Sequence, residues 1–166
     1  MLAIEWSRVL LAREPSAVLL SLLVGGGALC LVGCFYTPRQ LGLSTAQLGY
    51  KLLGGLGLGC VLLLPALVSG GLPRLAPSLA VAALAVSAGE EIAFRGALYA
   101  ALEEAHGPLA AVLGSSLLFA AAHVLSHPVA FLLPVLAAGL LFAMWRWACN
   151  DLVAPIVGHA IADFWL

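Results

Sequence analysis

The chain has 166 residues, of which 63% are hydrophobic and only 9% are charged, with a mean hydropathy of +1.12 and a formal net charge of -1. A soluble domain carries about 25% charged residues, so this composition excludes a water-soluble globular protein and indicates that the lipid bilayer is the main solvent. The near-zero net charge argues against a nucleic-acid partner, which would require a basic patch.

The N-terminal residues 1–14 predict a short helix at the membrane interface. They mix charged and apolar residues with Trp6, and Pro15 is expected to end the helix. Six apolar runs follow, and we interpret them as membrane segments because a spanning helix needs about 20 residues, although the last run is short. These runs occupy residues 16–36, 52–69, 78–104, 108–125, 129–147 and 152–165.

The connections between the runs carry turn residues. Residues 37–51 are polar, and residues 70–77 contain two prolines and two glycines that break the chain. Asn150 or Asp151 is suited to cap the last helix. The Trp145–Trp147 stretch is typical of an aromatic belt, with Arg146 expected to extend to the interface. One alternative reading of residues 31–34 (LVGC) is a lipoprotein cleavage box, which the five further apolar runs argue against.

The predicted fold is therefore an all-α, polytopic membrane helical bundle with about six membrane segments and a short N-terminal interfacial helix. Residues 1–166 are expected to form a single membrane domain, with a catalytic core at about 78–166. Such a protein belongs in a membrane, and we expect the cytoplasmic membrane of a bacterium or archaeon.

The third segment carries charges at membrane depth. Charged side chains there cost about 2.5–3.5 kcal/mol each on insertion scales and usually mark function. Glu91 and Arg95 are four residues apart, a spacing that favours an ion pair, whereas Glu90 points away from Glu91 and is available to face a cavity as a base. The structural alternative is a salt-bridge cluster that holds helices together, which would bury a second carboxylate at a cost.

Two later segments also carry ionisable groups. Phe119 and His123 share one face of the fourth segment, and His159 and Asp163 share one face of the last segment, in both cases at a spacing of four residues. The remaining candidates are expected to be exposed or structural. They are His106 and His127 in predicted turns, and Glu103 and Glu104 near the interface.

These three motifs carry a family resemblance. EEIAFR (90–95) resembles the EExxxR motif of the CAAX prenyl protease and bacteriocin-processing family of intramembrane endopeptidases. FAAAH (119–123) resembles the family's FxxxH motif, and APIVGHAIAD (154–163) resembles its last motif, HxxxN or HxxxD. The motifs occur in the family's order over about half of the chain. The resemblance implies an endopeptidase that acts near the C-terminus of a lipidated or membrane-tethered protein.

Peptide hydrolysis needs a base for water, a donor for the oxyanion and a proton for the leaving amine. Glu90 and His123 can hold and deprotonate a water molecule between their helices, and His159 can donate to the oxyanion. The resemblance implies the same assignment, with Asp163 beside His159 at the oxyanion. The supporting positions are Glu91, Arg95 and Phe119. Ser87 is the serine nearest to the motif, and it lacks the partners of a nucleophile.

A metal ion is the main mechanistic alternative. Glu90, His123, His159 and Asp163 are of the types that could together hold one Zn²⁺ with an open position for water. The HExxH spacing, which supplies two ligands and the base from one helix, does not occur. We therefore expect glutamate-type catalysis without a cofactor, with one zinc ion as the alternative. The alternative function is a non-enzymatic membrane protein, such as a bacteriocin-immunity factor or a transporter-like protein.

Overall fold

The apolar runs of the sequence are helical, in a computed structural model that describes residues 2–11, 15–68 and 77–165. The α-helices are α1 (Leu2–Leu11), α2 (Pro15–Val32), α3 (Pro38–Leu41), α4 (Leu48–Val68), α5 (Pro77–Glu91), α6 (Tyr99–His106), α7 (Pro108–Ala122), α8 (Val129–Cys149) and α9 (Val153–Trp165). A 3₁₀ turn, Gly33–Phe35, extends α2, and a π-helix, Ile92–Leu98, joins α5 to α6. The described residues contain no strand, so the all-α prediction is confirmed.

Three of the described helices are long and apolar enough to cross a membrane. They are Ala17–Phe35, Leu48–Val68 and Val129–Cys149. Two shorter apolar helices, Pro108–Ala122 and Val153–Trp165, accompany them. Less than a third of each candidate span is buried inside the protein, as expected for helices whose outer faces contact lipid.

The helices pack in pairs, and two of these pairs join helices that are distant in sequence. α4 packs along α9, α2 packs along α5, and α7 packs against α8. Glycine permits the first two contacts: a Cβ atom at Gly158 of α9 would lie 2.8 Å from Leu58 Cβ, and one at Gly89 of α5 would overlap the carbonyl oxygen of Gly26. Small residues allow membrane helices to approach closely. Such packing drives the association of helices in lipid, where water exclusion contributes little.

Several expectations about the connections can now be compared with the structure. Asp151 is the cap of α9, since its carboxylate accepts hydrogen bonds from the backbone N–H groups of Val153 and Ala154 at 3.1 Å. Pro15 is the first residue of α2, while residues 12–14, where the interfacial helix was expected to end, lie outside the described ranges. Most of the predicted break at 70–77 also lies outside them.

The interpretation of Arg146 as an interfacial side chain was wrong. Its side chain is only 3% exposed. Its guanidinium donates to the Gln40 carbonyl oxygen at 2.9 Å and to the Asn150 side chain, and it lies 5.1 Å from the centre of the Tyr99 ring. Arg146 therefore joins α8 to the α3 connection instead of extending to the membrane surface.

Candidate active site

The three motifs meet inside the bundle. Glu90 and Glu91 are the last two residues of α5, and Arg95 lies in the π-helix that follows. His123 caps the C-terminal end of α7, which ends at Ala122 and is shorter than the expected segment 108–125. His159 lies in α9. All five side chains belong to buried residues, and the helices bring them close to one another.

Glu90 faces both histidines. Its Oε2 atom lies 3.8 Å from Nε2 of His123 and 3.7 Å from Nε2 of His159. These distances exceed a direct hydrogen bond, but one water molecule between such groups can hydrogen bond to both. Three helices thus direct one carboxylate and two imidazoles towards the same point.

The tautomer of the neutral His123 ring follows from the hydrogen-bond partner of its Nδ1 atom. Nδ1 lies 2.9 Å from the backbone carbonyl oxygen of Phe119, one turn earlier. A carbonyl oxygen only accepts hydrogen bonds, so Nδ1 carries the hydrogen. In the neutral ring, Nε2 is then the acceptor, and it is the nitrogen that faces Glu90. The FxxxH spacing has this local consequence because the i−4 carbonyl at a helix end is within reach of the ring.

Glu91 connects two motifs. Its Oε1 atom accepts a hydrogen bond from Arg95 at 2.8 Å, in the i,i+4 ion pair that the spacing predicted, and lies 2.9 Å from Nδ1 of His159. Glu91 and Arg95 are fully buried. The adjacent carboxylates therefore occupy different environments. Glu90 faces the space between the histidines, and Glu91 orients one of these histidines.

The Arg95 guanidinium lies among aromatic rings. It stands 3.9 Å from the centre of the Phe119 ring and 5.4 Å from that of Phe142. Its Nε and Nη2 atoms have no hydrogen-bond partner among the described residues, so the ring faces contribute to the stability of the cation. Phe119 also contacts His123, with 4.6 Å between the ring centres. Phe119 therefore packs against residues of two motifs, and its supporting role stays a prediction.

Asp163 is the most exposed of the candidate residues, with 34% of its side chain accessible. Its Oδ1 atom lies 3.6 Å from Nε2 of His159, one turn earlier on α9. Its Oδ2 atom accepts a hydrogen bond from Ser87 at 2.7 Å. Ser87 therefore touches the site, although not as a nucleophile with a base of its own.

Sequence reasoning missed Phe142, which stacks on His159 with 5.5 Å between the ring centres. Nothing in the apolar run of α8 distinguishes this phenylalanine from its neighbours. Of the residues that the sequence set aside, only His127 approaches the site, with 5.3 Å between its ring centre and that of His123. His106, Glu103 and Glu104 are exposed, whereas His127 is half-buried and stacks on Phe131.

The donors at the site are compatible with zinc by type, since imidazole nitrogens and carboxylate oxygens are common zinc ligands. Glu90, His123 and His159 face the same point, but among residues 2–11, 15–68 and 77–165 no group of three His, Cys, Asp or Glu side chains has the arrangement of a metal site. Catalysis without a metal stays a prediction.

The chain was compared with protein families, curated proteins and solved structures. The model of a protein family described as type II CAAX prenyl endopeptidase Rce1-like matches residues 72–165. This range includes all three motifs and ends with α9. No curated protein and no solved structure matches the chain.

Proposed function

Because the chain belongs to the Rce1-like family of type II CAAX prenyl endopeptidases, we propose that it cleaves a lipidated, membrane-tethered protein near its C-terminus, with Glu90 as the base. Membership makes the chain a CAAX-type intramembrane endopeptidase, and thus a hydrolase that is integral to a membrane. The family also indicates a prenylated protein as the substrate. The residue roles and the C-terminal cleavage position are the proposal.

The observation that carries the proposal is the position of Glu90 between two imidazoles from other helices. A water molecule held by Glu90 and by Nε2 of His123 loses a proton to the Glu90 carboxylate as its oxygen attacks the peptide carbonyl carbon. The neutral Glu90 then gives this proton to the leaving amine as the carbon–nitrogen bond breaks. Glu90 thereby returns to its starting state.

His159 stabilises the oxyanion that forms in this step. Its Nδ1 atom is held by Glu91, which directs Nε2 towards the same point as Glu90. Nδ1 already donates to Glu91, so donation from Nε2 requires a ring with hydrogens on both nitrogens. The positive charge of that ring then lies against the Glu91 carboxylate. A donor fixed before the reaction stabilises developing charge without reorganisation, which is the reason for assigning Glu91 a positioning role.

The test is cleavage by the purified protein in lipid vesicles. The substrates are peptides that end in a prenylated cysteine followed by three residues, the same peptides without the lipid, and peptides tethered by an acyl chain. We expect cleavage of the prenylated set. Glu90→Gln should lower turnover by at least about 100-fold, the effect of removing a general base, while the protein inserts and purifies normally.

Glu104→Gln is the matched control, because this glutamate is exposed at the end of α6. It should leave turnover unchanged. Near-normal turnover of Glu90→Gln would show that the base is another group. A wild-type protein that cleaves none of the substrates would contradict the proposed function itself.

A further inference from the structure

Asp163 is held by a residue outside the three motifs. Ser87 lies on α5, one turn before Glu91, and it is fully buried. Its hydroxyl donates to Oδ2 of Asp163 at 2.7 Å, across to α9. The other carboxylate oxygen, Oδ1, is the one that lies 3.6 Å from Nε2 of His159.

We propose that Ser87 is a positioning residue for hydrolysis, whose hydroxyl fixes the Asp163 carboxylate beside His159. The inference rests on the proposed function, since it assigns a purpose to this geometry within that reaction. It adds a residue that belongs to none of the motifs and that acts through Asp163, without contact with the substrate.

The first reason for this role is that Asp163 needs an external constraint. A third of its side chain is exposed, so neighbouring side chains do not enclose it. A hydrogen bond from a fully buried partner on another helix restricts its rotamers. Ser87 is itself restricted, because its single hydroxyl hydrogen is shared between Oδ2 of Asp163 and the carbonyl oxygen of Ala83, one turn earlier, each of which lies 2.7 Å from the hydroxyl oxygen.

The second reason is the helix on which Ser87 lies. Ser87, Glu90 and Glu91 follow one another along the last two turns of α5. One helix therefore sets the base, the carboxylate that orients His159, and the hydroxyl that holds Asp163. A helix is more precise than a loop as a support for such a group.

The third reason is the chemistry of a hydroxyl. It can donate to a carboxylate oxygen, and it can accept from the N–H of an amide in the same place. Ser87 can therefore hold either an aspartate or an asparagine at position 163. An alanine at position 87 could hold neither of them.

The experiment compares Ser87→Ala with Ser116→Ala. Ser116 is a matched control because it is also fully buried and bonds to the carbonyl oxygen four residues earlier, that of Val112, at 2.7 Å. The structure gives it no carboxylate partner among the described residues. We expect Ser87→Ala to lower kcat about three- to tenfold, the loss expected for one hydrogen bond, with KM unchanged. Ser116→Ala should keep wild-type kcat.

A double-mutant cycle with Asp163→Ala tests whether Ser87 acts through Asp163. If it does, Ser87→Ala should cause no further loss of kcat in the Asp163→Ala background. Ser87→Cys is a second variant, which fills the space with a weak donor, and it should match the kcat of Ser87→Ala. This variant carries the test if the alanine variant does not fold.

Three outcomes would overturn the inference. They are wild-type kcat in both Ser87 variants, an equal loss in Ser116→Ala, and a full additional loss in the Asp163→Ala background. In each case wild-type cleavage that disappears in Glu90→Gln would leave the proposed function intact. A wild-type protein that does not cleave at all would instead remove the proposed function and this inference together.

Discussion

The two adjacent glutamates at the end of α5 have different neighbours, and for this reason we propose different tasks for them. Glu91 Oε1 lies within 2.9 Å of both Arg95 and His159, so it is committed to ionic and hydrogen-bonded contacts inside the protein. Glu90 Oε2 lies 3.7–3.8 Å from Nε2 of both imidazoles, which is too far for a direct hydrogen bond but close enough for one water molecule beside them to bond to both groups. A buried ion pair and the proposed hydrolytic base thus lie within about one turn of each other.

The buried ion pair between Arg95 and Glu91 is expected to stabilise the fold. Arg95→Ala leaves Glu91 buried without its cation, and removing one partner of a buried pair costs about 3–5 kcal/mol. We expect a lower free energy of unfolding and a lower melting temperature in detergent, together with reduced cleavage because His159 loses its orientation. Arg39→Ala, at an exposed arginine, is the control. Loss of activity with an unchanged melting profile would argue against the structural role.

A substitution at Asp163 distinguishes hydrolysis without a metal from hydrolysis by a zinc-bound water. Without a metal, Asp163→Asn should retain substantial turnover, since asparagine preserves the shape and can still bond to Ser87. Phenanthroline should have no effect on the wild-type protein. Both results are measured as initial rates on one preparation. A variant as inactive as Glu90→Gln, with chelator inhibition that added zinc reverses, would establish zinc catalysis instead.

At the scale of helices, close packing at glycines determines the position of the helix that carries two of the candidate site residues. α9 carries His159 and Asp163, and its distance from α4 depends on Gly158, whose added Cβ would also lie 3.2 Å from the Gly55 carbonyl oxygen. The π-helix Ile92–Leu98 begins directly after the two glutamates. π-helical turns often occur at functional sites. Here the irregular turn contains Arg95 and still permits its i,i+4 contact with Glu91.

Gly158→Ala is therefore expected to displace α9. The added methyl group meets backbone and Cβ atoms that cannot rotate away, and overpacking of this kind costs about 1–3 kcal/mol. We expect a lower melting temperature and a reduced kcat. Gly57→Ala on α4 is the control, because nothing lies within 4 Å of its Cβ position. If the two variants melt at the same temperature, the α4–α9 contact does not set the position of α9.

At the scale of the whole molecule, the site depends on both halves of the chain. The family match covers residues 72–165, but α2 packs on α5 and α4 packs on α9 from the N-terminal half. These two helices support the elements that carry Ser87, the glutamates, His159 and Asp163. We therefore propose that residues 1–166 act as one domain, in which the catalytic core at about 78–166 is held in place by the N-terminal helices.

The sequence alone determined the helical membrane fold and the family. Apolar runs of this length can satisfy their backbone hydrogen bonds in lipid only as helices, and charged residues are rare enough there to be found by inspection. The pairing of Glu91 with Arg95 was also predictable, because side chains four residues apart on one helix lie together.

Only the tertiary structure decided which motif residues touch. The contacts of His159 with Glu91, and of Asp163 with Ser87, span 68 and 76 residues of sequence. They depend on how closely α9 approaches α4 and α5, and helix periodicity carries no information on that distance. The stacking of Phe142 on His159 and the burial of Arg146 have the same origin: apolar and aromatic residues look alike in a sequence, and packing between helices assigns each of them its neighbours.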